Sequence, residues 1–202
     1  MVDMEGMEVM KKMPDKISLR KKMLDLMRSE PGPDPALVAD RICALDEYKN
    51  ASHVLAYIPL RGEIDVSLLL DRAIRDGKTV AVPDTDIGDF RIVGDGWRDD
   101  LVRLSNSTFT TGSYSVLNII DINSRIGTVE KTKGIILVPG LAFTEFGTRL
   151  GRGAGYYDQL LHLMGNSGSL DFISIGICRK SQLLDDIPQQ PHDAKVRMVI
   201  TF

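Results

Sequence analysis

The run from Arg149 to Leu161, RLGRGAGYYDQLL, gathers residue types that do chemistry together. Arg149 and Arg152 are interspersed with glycines at 151, 153 and 155, and Tyr156, Tyr157 and Asp158 follow directly. Glycine lets a backbone come close to a ligand and take positive φ. Successive amides in such a loop form an anion-binding nest, and a helix starting just after it adds its own free N–H groups. Arginine contributes a planar fork of donors that matches phosphate oxygens. The spacing is G-x-G-x-G with no Gly-Lys-Ser/Thr, so it is neither a Walker A loop nor the dinucleotide fingerprint. On residue types alone, two readings stand: a phosphate-binding loop, or a structural glycine turn with surface arginines.

The neighbouring residues carry similar pairs of readings. Asp158 falls in the first turn of the helix that follows, where an acid complements the helix dipole. It also suits a Mg²⁺ ion held mainly by nucleotide phosphates and water, which needs only one or two protein carboxylates. Asp193, in PHDAKV, is a second acid of this kind or a plain loop cap. Tyr156 and Tyr157 are core aromatics or a platform for a planar ligand.

The surrounding pattern predicts what positions these groups. Asp15 caps a helix with apolar positions Ile17, Leu19, Met23, Leu24 and Met27, and SEPGPDP ends it. Asp34 with Pro35 starts a second helix running to about Tyr48. HVLAYIP reads as a strand, Asp65 caps a helix through Arg75, and GKTVAVP is the next strand. Such a β-α-β unit implies parallel pairing. FRIVG and SYSVLNI are short strands or loop edges, and KGIILVPG, FISIGIC and RMVITF are core strands. A helix spans about Gly155 to Met164. The expectation is a single-domain, layered, Rossmann-like α/β fold with a mostly parallel central sheet flanked by helices. Residues 15–202 form that domain, and residues 1–14 form a flexible N-terminal extension. The glycine run then lies after the carboxyl end of a core strand, where open α/β sheets bind ligands.

Composition narrows the function classes. The chain has 202 residues, is 43% hydrophobic and carries a formal net charge of −3, so it is not a globally basic nucleic-acid binder. Its apolar runs fall short of the ~18 residues of a membrane span. Cys43 and Cys178 stand far apart in apolar contexts and read as buried free thiols of a cytoplasmic protein. The histidines are scattered, which argues against a zinc site.

The block VPGLAFTEFGTRLGRGAGYYDQLL resembles the signature of the 5-formyltetrahydrofolate cyclo-ligase family. KISLRKKM, YIPLRGEIDVSLLL with GKTVAVP, and a tail with Gly176, Gln182, Pro188, His192-Asp193 and VIT resemble its other blocks in the same order. The resemblance implies ATP-dependent, Mg²⁺-dependent closure of 5-formyltetrahydrofolate to 5,10-methenyltetrahydrofolate, with ADP and phosphate released. It implies phosphorylation of the formyl oxygen, with no protein nucleophile. It implies ATP contacts from Lys16 and Arg20, and from the loop Arg149, Leu150, Gly151, Arg152, Gly153, Ala154, Gly155, Tyr156 and Tyr157. Asp158 and Asp193 are implied Mg²⁺ ligands. Ile58, Glu63, Arg152 and Tyr156 are implied folate contacts, with Arg149, Arg152 and Glu63 closest to the chemistry. The partners implied are small molecules, reduced folate and ATP, with no nucleic acid and no membrane, for a monomer or weak homodimer.

Some positions depart from the family pattern. Asn118 stands where a Glu is common, Thr144 where an Asp is common, and Ala154 where Gly or Lys is common. Two alternatives stay open at this level. One is an ATP-dependent enzyme of the same fold acting on another formylated small molecule. The other is a non-catalytic nucleotide- or RNA-binding module.

Overall fold

The computed structural model describes residues 15–84, 89–98, 132–167 and 170–202. The stretch around Asn118 and the N-terminal extension lie outside the described residues. Helix α1 spans Lys16–Ser29, α2 Pro35–Cys43, α3 Asp46–Asn50, α4 Ser67–Arg75 and α5 Tyr156–Asn166. Six strands form one sheet: β1 His53–Leu55, β2 Thr79–Asp84, β3 Asp89–Val93, β4 Thr132–Val138, β7 Leu170–Cys178 and β8 Met198–Thr201. Their order is β3-β2-β1-β4-β7-β8. All neighbouring pairs are parallel except β2 with β3, an antiparallel edge. A two-residue hairpin, β5 Ala142–Phe143 and β6 Arg149–Leu150, stands apart.

The alternation of strand side chains builds two cores. Ile135 and Leu137 of β4 join Val54, Val80, Ile175 and the buried faces of α2 and α4. Ile136 and Val138 point the other way and join Leu55, Ala81, Phe143 and the Leu160 and Met164 stripe of α5. Both faces of the parallel sheet are therefore buried, which is why its strands are nearly continuous apolar runs. A third cluster seats α1, whose Leu19, Met23 and Met27 recur at helical spacing against Leu141, Leu150 and Ile187. Burial at roughly 1.5–3 kcal/mol per fully buried side chain holds the helix there. Ile17 falls off that stripe and is 77% exposed, unlike its expected place on the apolar face.

Two boundaries differ from the sequence reading. The helix expected to continue to Tyr48 breaks at Leu45, which is extended (φ −65°, ψ 143°). The break lets the buried Tyr48 donate its hydroxyl to Asp76 at 2.6 Å, beyond the end of α4, with the Lys78 ammonium over its ring. A continuous helix optimises only its own hydrogen bonds, and here the tertiary contact prevails. The strand read as HVLAYIP pairs only through Leu55, after one more bond from the Ala56 amide to Ala81. Tyr57, Ile58 and Pro59 leave the ladder to line a cleft. The cap position of α4 is Val66, which offers no side-chain acceptor, and not Asp65 as expected; Asp65, one residue earlier, accepts from the Ser67 amide at 2.8 Å and turns the chain into the helix.

Candidate functional site

The sheet order reverses between β1 and β4. From β1 the chain crosses through α4 to β2 on one side. From β4 it passes through the hairpin and α5 to β7 on the other. A crevice opens at such a reversal, outside the carboxyl ends of the two central strands. Here it is a cleft of about 480 Å³ lined by the segments after β1 (Tyr57–Leu60, Glu63) and β4 (Pro139, Gly140), by Lys16 and Arg20, by Arg149 and residues 151–158, and by Gln190, His192 and Asp193. That volume lies within the ~300–1,000 Å³ usual for ligand pockets. Of the implied ATP, Mg²⁺ and folate contacts, Leu150 alone stays away from the wall. It is fully buried against α1, so only its backbone can serve the loop.

Each group reaches the cleft for a local reason. Asp15 accepts from the amides of Ile17 and Ser18 at 2.8 and 2.9 Å and starts α1 where the chain must turn. Lys16 and Arg20 are one turn apart beside the buried stripe of α1. The Arg20 Nε–H donates to the Gly151 carbonyl at 3.0 Å, and the Lys16 ammonium pairs with Asp193. In the glycine loop, Gly153 (φ 110°) and Gly155 (φ 72°) both have positive φ, while Ala154 between them does not. The alternation explains the residue choice: alanine fits the one position whose backbone suits an L side chain. Gly155 enters α5 with no side-chain cap, so first-turn amides are left for water or a ligand.

The charged groups form three pairs across the cleft. Arg149, 7% exposed, donates through Nη2 to Asp158 Oδ1 at 2.9 Å, and its guanidinium lies 5.8 Å from the centre of the Tyr157 ring. Its Nε is buried and has no hydrogen-bond partner among the described residues. A buried unpaired donor is costly unless a bound group completes it. Arg152 donates through Nε and Nη2 to Glu63 Oε1 at 3.0 and 2.9 Å, and Glu63 Oε2 accepts from the Leu60 amide at 2.9 Å. Lys16 and Asp193 complete the set.

Asp158 and Asp193 share a feature. Asp158 receives Arg149 and the Ala194 amide (3.2 Å) on Oδ1, and Asp193 receives Lys16 and the Gln190 amide (2.6 Å) on Oδ2. Among the described residues each keeps its other oxygen without a hydrogen bond, and the Ala194 contact ties the two acids' segments together. Burial pushes the Asp193 carboxyl up, but the Lys16 hydrogen bond, the Gln190 amide and the Lys16 and His192 charges outweigh it and hold it below the usual value. No cluster of three or more His, Cys, Asp or Glu side chains exists among the described residues, so the site offers two carboxylates and not a closed cage. Burial pushes the Tyr157 hydroxyl well up, reinforced by Tyr156, Glu63 and Tyr57 against the opposing Arg149 charge. It stays a neutral donor and acceptor.

Thr144, where the sequence suggested a lost carboxylate, serves the hairpin turn. It is buried, its Oγ1 accepts from the Thr148 amide at 3.2 Å, and its amide donates to the Thr148 carbonyl at 2.9 Å. It does not line the cleft. The same turn contains Gly147 (φ 81°), where a Cβ would stand 2.0 Å from the Val196 carbonyl oxygen. That close approach seats the hairpin on the segment carrying Asp193.

A family model, the 5-formyltetrahydrofolate cyclo-ligase family, matches residues 12–202. The chain belongs to that family. Cyclo-ligases similar to it include those of Mus musculus, 25% identical over 81% of this chain and 80% of the mouse protein, and Escherichia coli K12, 25% identical over 81% and 85%. The Mycolicibacterium smegmatis cyclo-ligase is 45% identical over 67 residues, 33% of this chain and 32% of that protein. The solved 5,10-methenyltetrahydrofolate synthetase of Aquifex aeolicus matches with a TM-score of 0.61 at 24% identity, covering 92% of this chain and 89% of that one. The corresponding Mycoplasma pneumoniae structure matches with a TM-score of 0.61 at 19% identity, covering 93% and 98%. At these identities the two structures support the fold: the α/β layers with a mostly parallel sheet are those of the cyclo-ligase enzymes.

Sequence reasoning missed Arg179. It is buried (6% exposed) immediately after β7 and holds carbonyls at Pro31 and Gly62. The signal was a cation at the carboxyl end of a core strand, in GICRK. Tyr57 was also missed; it sits inside a strand-like apolar run, and its hydroxyl donates to the Ile64 carbonyl at 2.8 Å. No helix among the described residues is long and apolar enough to cross a membrane.

Proposed function

We propose that the chain catalyses ATP-dependent closure of 5-formyltetrahydrofolate to 5,10-methenyltetrahydrofolate, releasing ADP and phosphate. The observation that carries this reading is the convergence, at the switch-point cleft of a cyclo-ligase chain, of a glycine loop, four cations and two half-used carboxylates beside Glu63 and the apolar Ile58–Leu60 wall.

The chemistry explains the need for ATP. A formamide carbonyl is a weak electrophile, and its oxygen is a poor leaving group. Transfer of the γ-phosphoryl to the formyl oxygen gives an iminium phosphate. N10 of the folate attacks the activated carbon, loses its proton, and phosphate departs as the ring closes. The protein's part is positioning and charge stabilisation. The loop amides of 151–155 and the start of α5 hold phosphate oxygens, and Arg149 adds its guanidinium charge beside them. Arg152, Lys16 and Arg20 supply the remaining positive charge. Ile58 and Tyr156 face the pterin, and Glu63 orients it. Asp158 and Asp193 fit Mg²⁺, each through its unused oxygen. When bound, Mg²⁺ offsets the negative charge of the nucleotide phosphates.

The test is incubation with 5-formyltetrahydrofolate, Mg²⁺ and ATP, following the absorbance of the methenyl product, with other formyl pterins in parallel. Turnover confined to a different formyl compound, or ATP binding without turnover, would reject the assignment. Arg152→Ala should lower kcat/KM for ATP on the order of a hundredfold while the chain remains folded, because a half-exposed cation leaves and no core packing does.

A further inference from the structure

We propose that Arg179 is a positioning residue that sets the place of Glu63 in the cleft. This inference rests on the cyclo-ligase reading above.

Glu63 ends a tight turn. Its amide donates to the Leu60 carbonyl at 2.9 Å, and Gly62, the third residue, has φ 88°. Positive φ at that position is the requirement of a type II turn, which glycine meets without strain. The turn also closes through the Glu63 side chain, which accepts from the Leu60 amide. Only one hydrogen bond to the Gly62 carbonyl reaches it from outside the turn among the described residues: the Nη1–H of Arg179 donates to it at 3.0 Å. That carbonyl belongs to the peptide leading into Glu63, so its direction governs where the Glu63 Cα stands.

Arg179 connects this turn to the opposite wall. Its Nε–H donates to the Pro31 carbonyl at 3.0 Å, and Nη1 also donates to Gln182 Oε1 at 3.2 Å. Gln182, 2% exposed, sends its amide to the Gly140 and Leu141 carbonyls at 3.2 and 3.1 Å. Gly140 lines the cleft after β4, and Glu63 lines it after β1. One buried guanidinium thus holds both lips of the crevice, through neutral acceptors in every contact. An arginine reaches three such acceptors with one rigid fork, whereas a lysine ammonium lacks that geometry. Glu63 in turn holds Arg152, so a displaced turn would move the folate side directly and the phosphate side only through the partly exposed Arg152.

The experiment compares the full chain with Arg179→Lys, Arg179→Met, Glu63→Gln and the Arg179→Lys/Glu63→Gln pair. Steady-state kinetics vary 5-formyltetrahydrofolate and ATP separately, and thermal unfolding is measured beside them. Arg179→Met should raise KM for the folate on the order of tenfold to a hundredfold, since an ångström of misplacement has effects of that size. KM for ATP should stay within about twofold. Arg179→Lys should show a smaller change of the same sign, and adding it to Glu63→Gln should change the folate KM little further. If Arg179→Met does not fold, Arg179→Lys and the double variant decide the matter. Equal rises in both KM values, unchanged KM values with a lowered Tm, or independent multiplying effects in the pair would overturn the proposal. A wild-type chain without folate turnover overturns this proposal together with the function it rests on. Wild-type turnover with a flat folate KM in Arg179→Lys overturns this proposal alone.

Discussion

Arg149–Asp158 in the cleft and Arg98–Asp71 on the outer side of α4 are the same ion pair by residue type. Their surroundings make them opposites. Asp71 spends both oxygens: Oδ1 accepts from Trp97 Nε1 and Arg98 Nη1 at 2.8 Å each, and Oδ2 from Arg98 Nη2 at 2.6 Å. The Arg98 guanidinium also sits 5.0 Å from the centre of the buried Trp97 ring. That cluster pins residues 94–98 to α4 and closes on itself. Arg149 and Asp158 leave a buried Nε–H and a carboxylate oxygen unused. A pair whose acceptor spends both its oxygens is a fastener. A pair that leaves some unsatisfied in a cleft is poised for a third charged group.

The comparison can be broken by substitution. The largest expected effect is at Arg149. Arg149→Lys keeps the charge and loses the fork and the unpaired Nε–H, so kcat/KM should fall on the order of a hundredfold to a thousandfold. A loss of less than about threefold in steady-state kinetics would make the Arg149 fork irrelevant to the phosphoryl group.

Asp193→Asn comes next. The amide keeps a hydrogen-bonding side chain and removes the charge offered to a cation. The Mg²⁺ concentration giving half-maximal rate should rise on the order of tenfold or more. An unchanged Mg²⁺ titration would return Asp193 to a loop cap paired with Lys16.

Asp71→Ala should do the reverse of both. Removing the acceptor strands the Trp97 N–H and should cost about 1–3 kcal/mol by chemical denaturation. Turnover should be unaltered; a large loss of kcat would show that the outer pair communicates with the cleft.

The smallest effect is in pH. Burial raises the Asp71 carboxyl, but the Arg98 and Trp97 hydrogen bonds and the Arg98 and Arg75 charges outweigh it, leaving it below 3.8; Asp193 is likewise below 3.8. A depressed folded-state value means stability present above the unfolded value of 3.8 and lost as pH falls through the lowered one. Thermal unfolding of Asp71→Ala and Asp193→Asn should therefore depend less steeply on pH below about 4 than the parent does. An identical acid limb in both variants would remove the two carboxyls as its source.

Much of this molecule was legible in its residues, for reasons that differ by element. The core strands IILV and SIGIC announced themselves as apolar runs, because a parallel sheet buried on both faces leaves no polar alternation. The α1 and α2 starts were legible from Asp15 and Asp34, because capping is a local hydrogen bond. The glycine loop at the cleft was legible because close backbone approach and positive φ require glycine whatever surrounds it. The end of α2 was not, because the reason for its break is Tyr48 reaching Asp76. The ladder of β1 ended early because the cleft needed Tyr57 to Pro59 for its wall.

The sequence by itself determined which residue types the cleft has to work with: glycines that free a backbone, arginines with forked donors, and carboxylates. It determined these through properties of single residues and short spacings. The tertiary structure alone decided which charges meet and which valences stay open. Lys16 and Asp193 are 177 positions apart, Arg152 and Glu63 are 89 apart, and Arg179 reaches Gly62 across 117. No local rule links residues at such distances. They meet because the parallel sheet brings the carboxyl ends of β1, β4 and β7 to one edge, and the packing of α1 against the hairpin carries its cations to the same place.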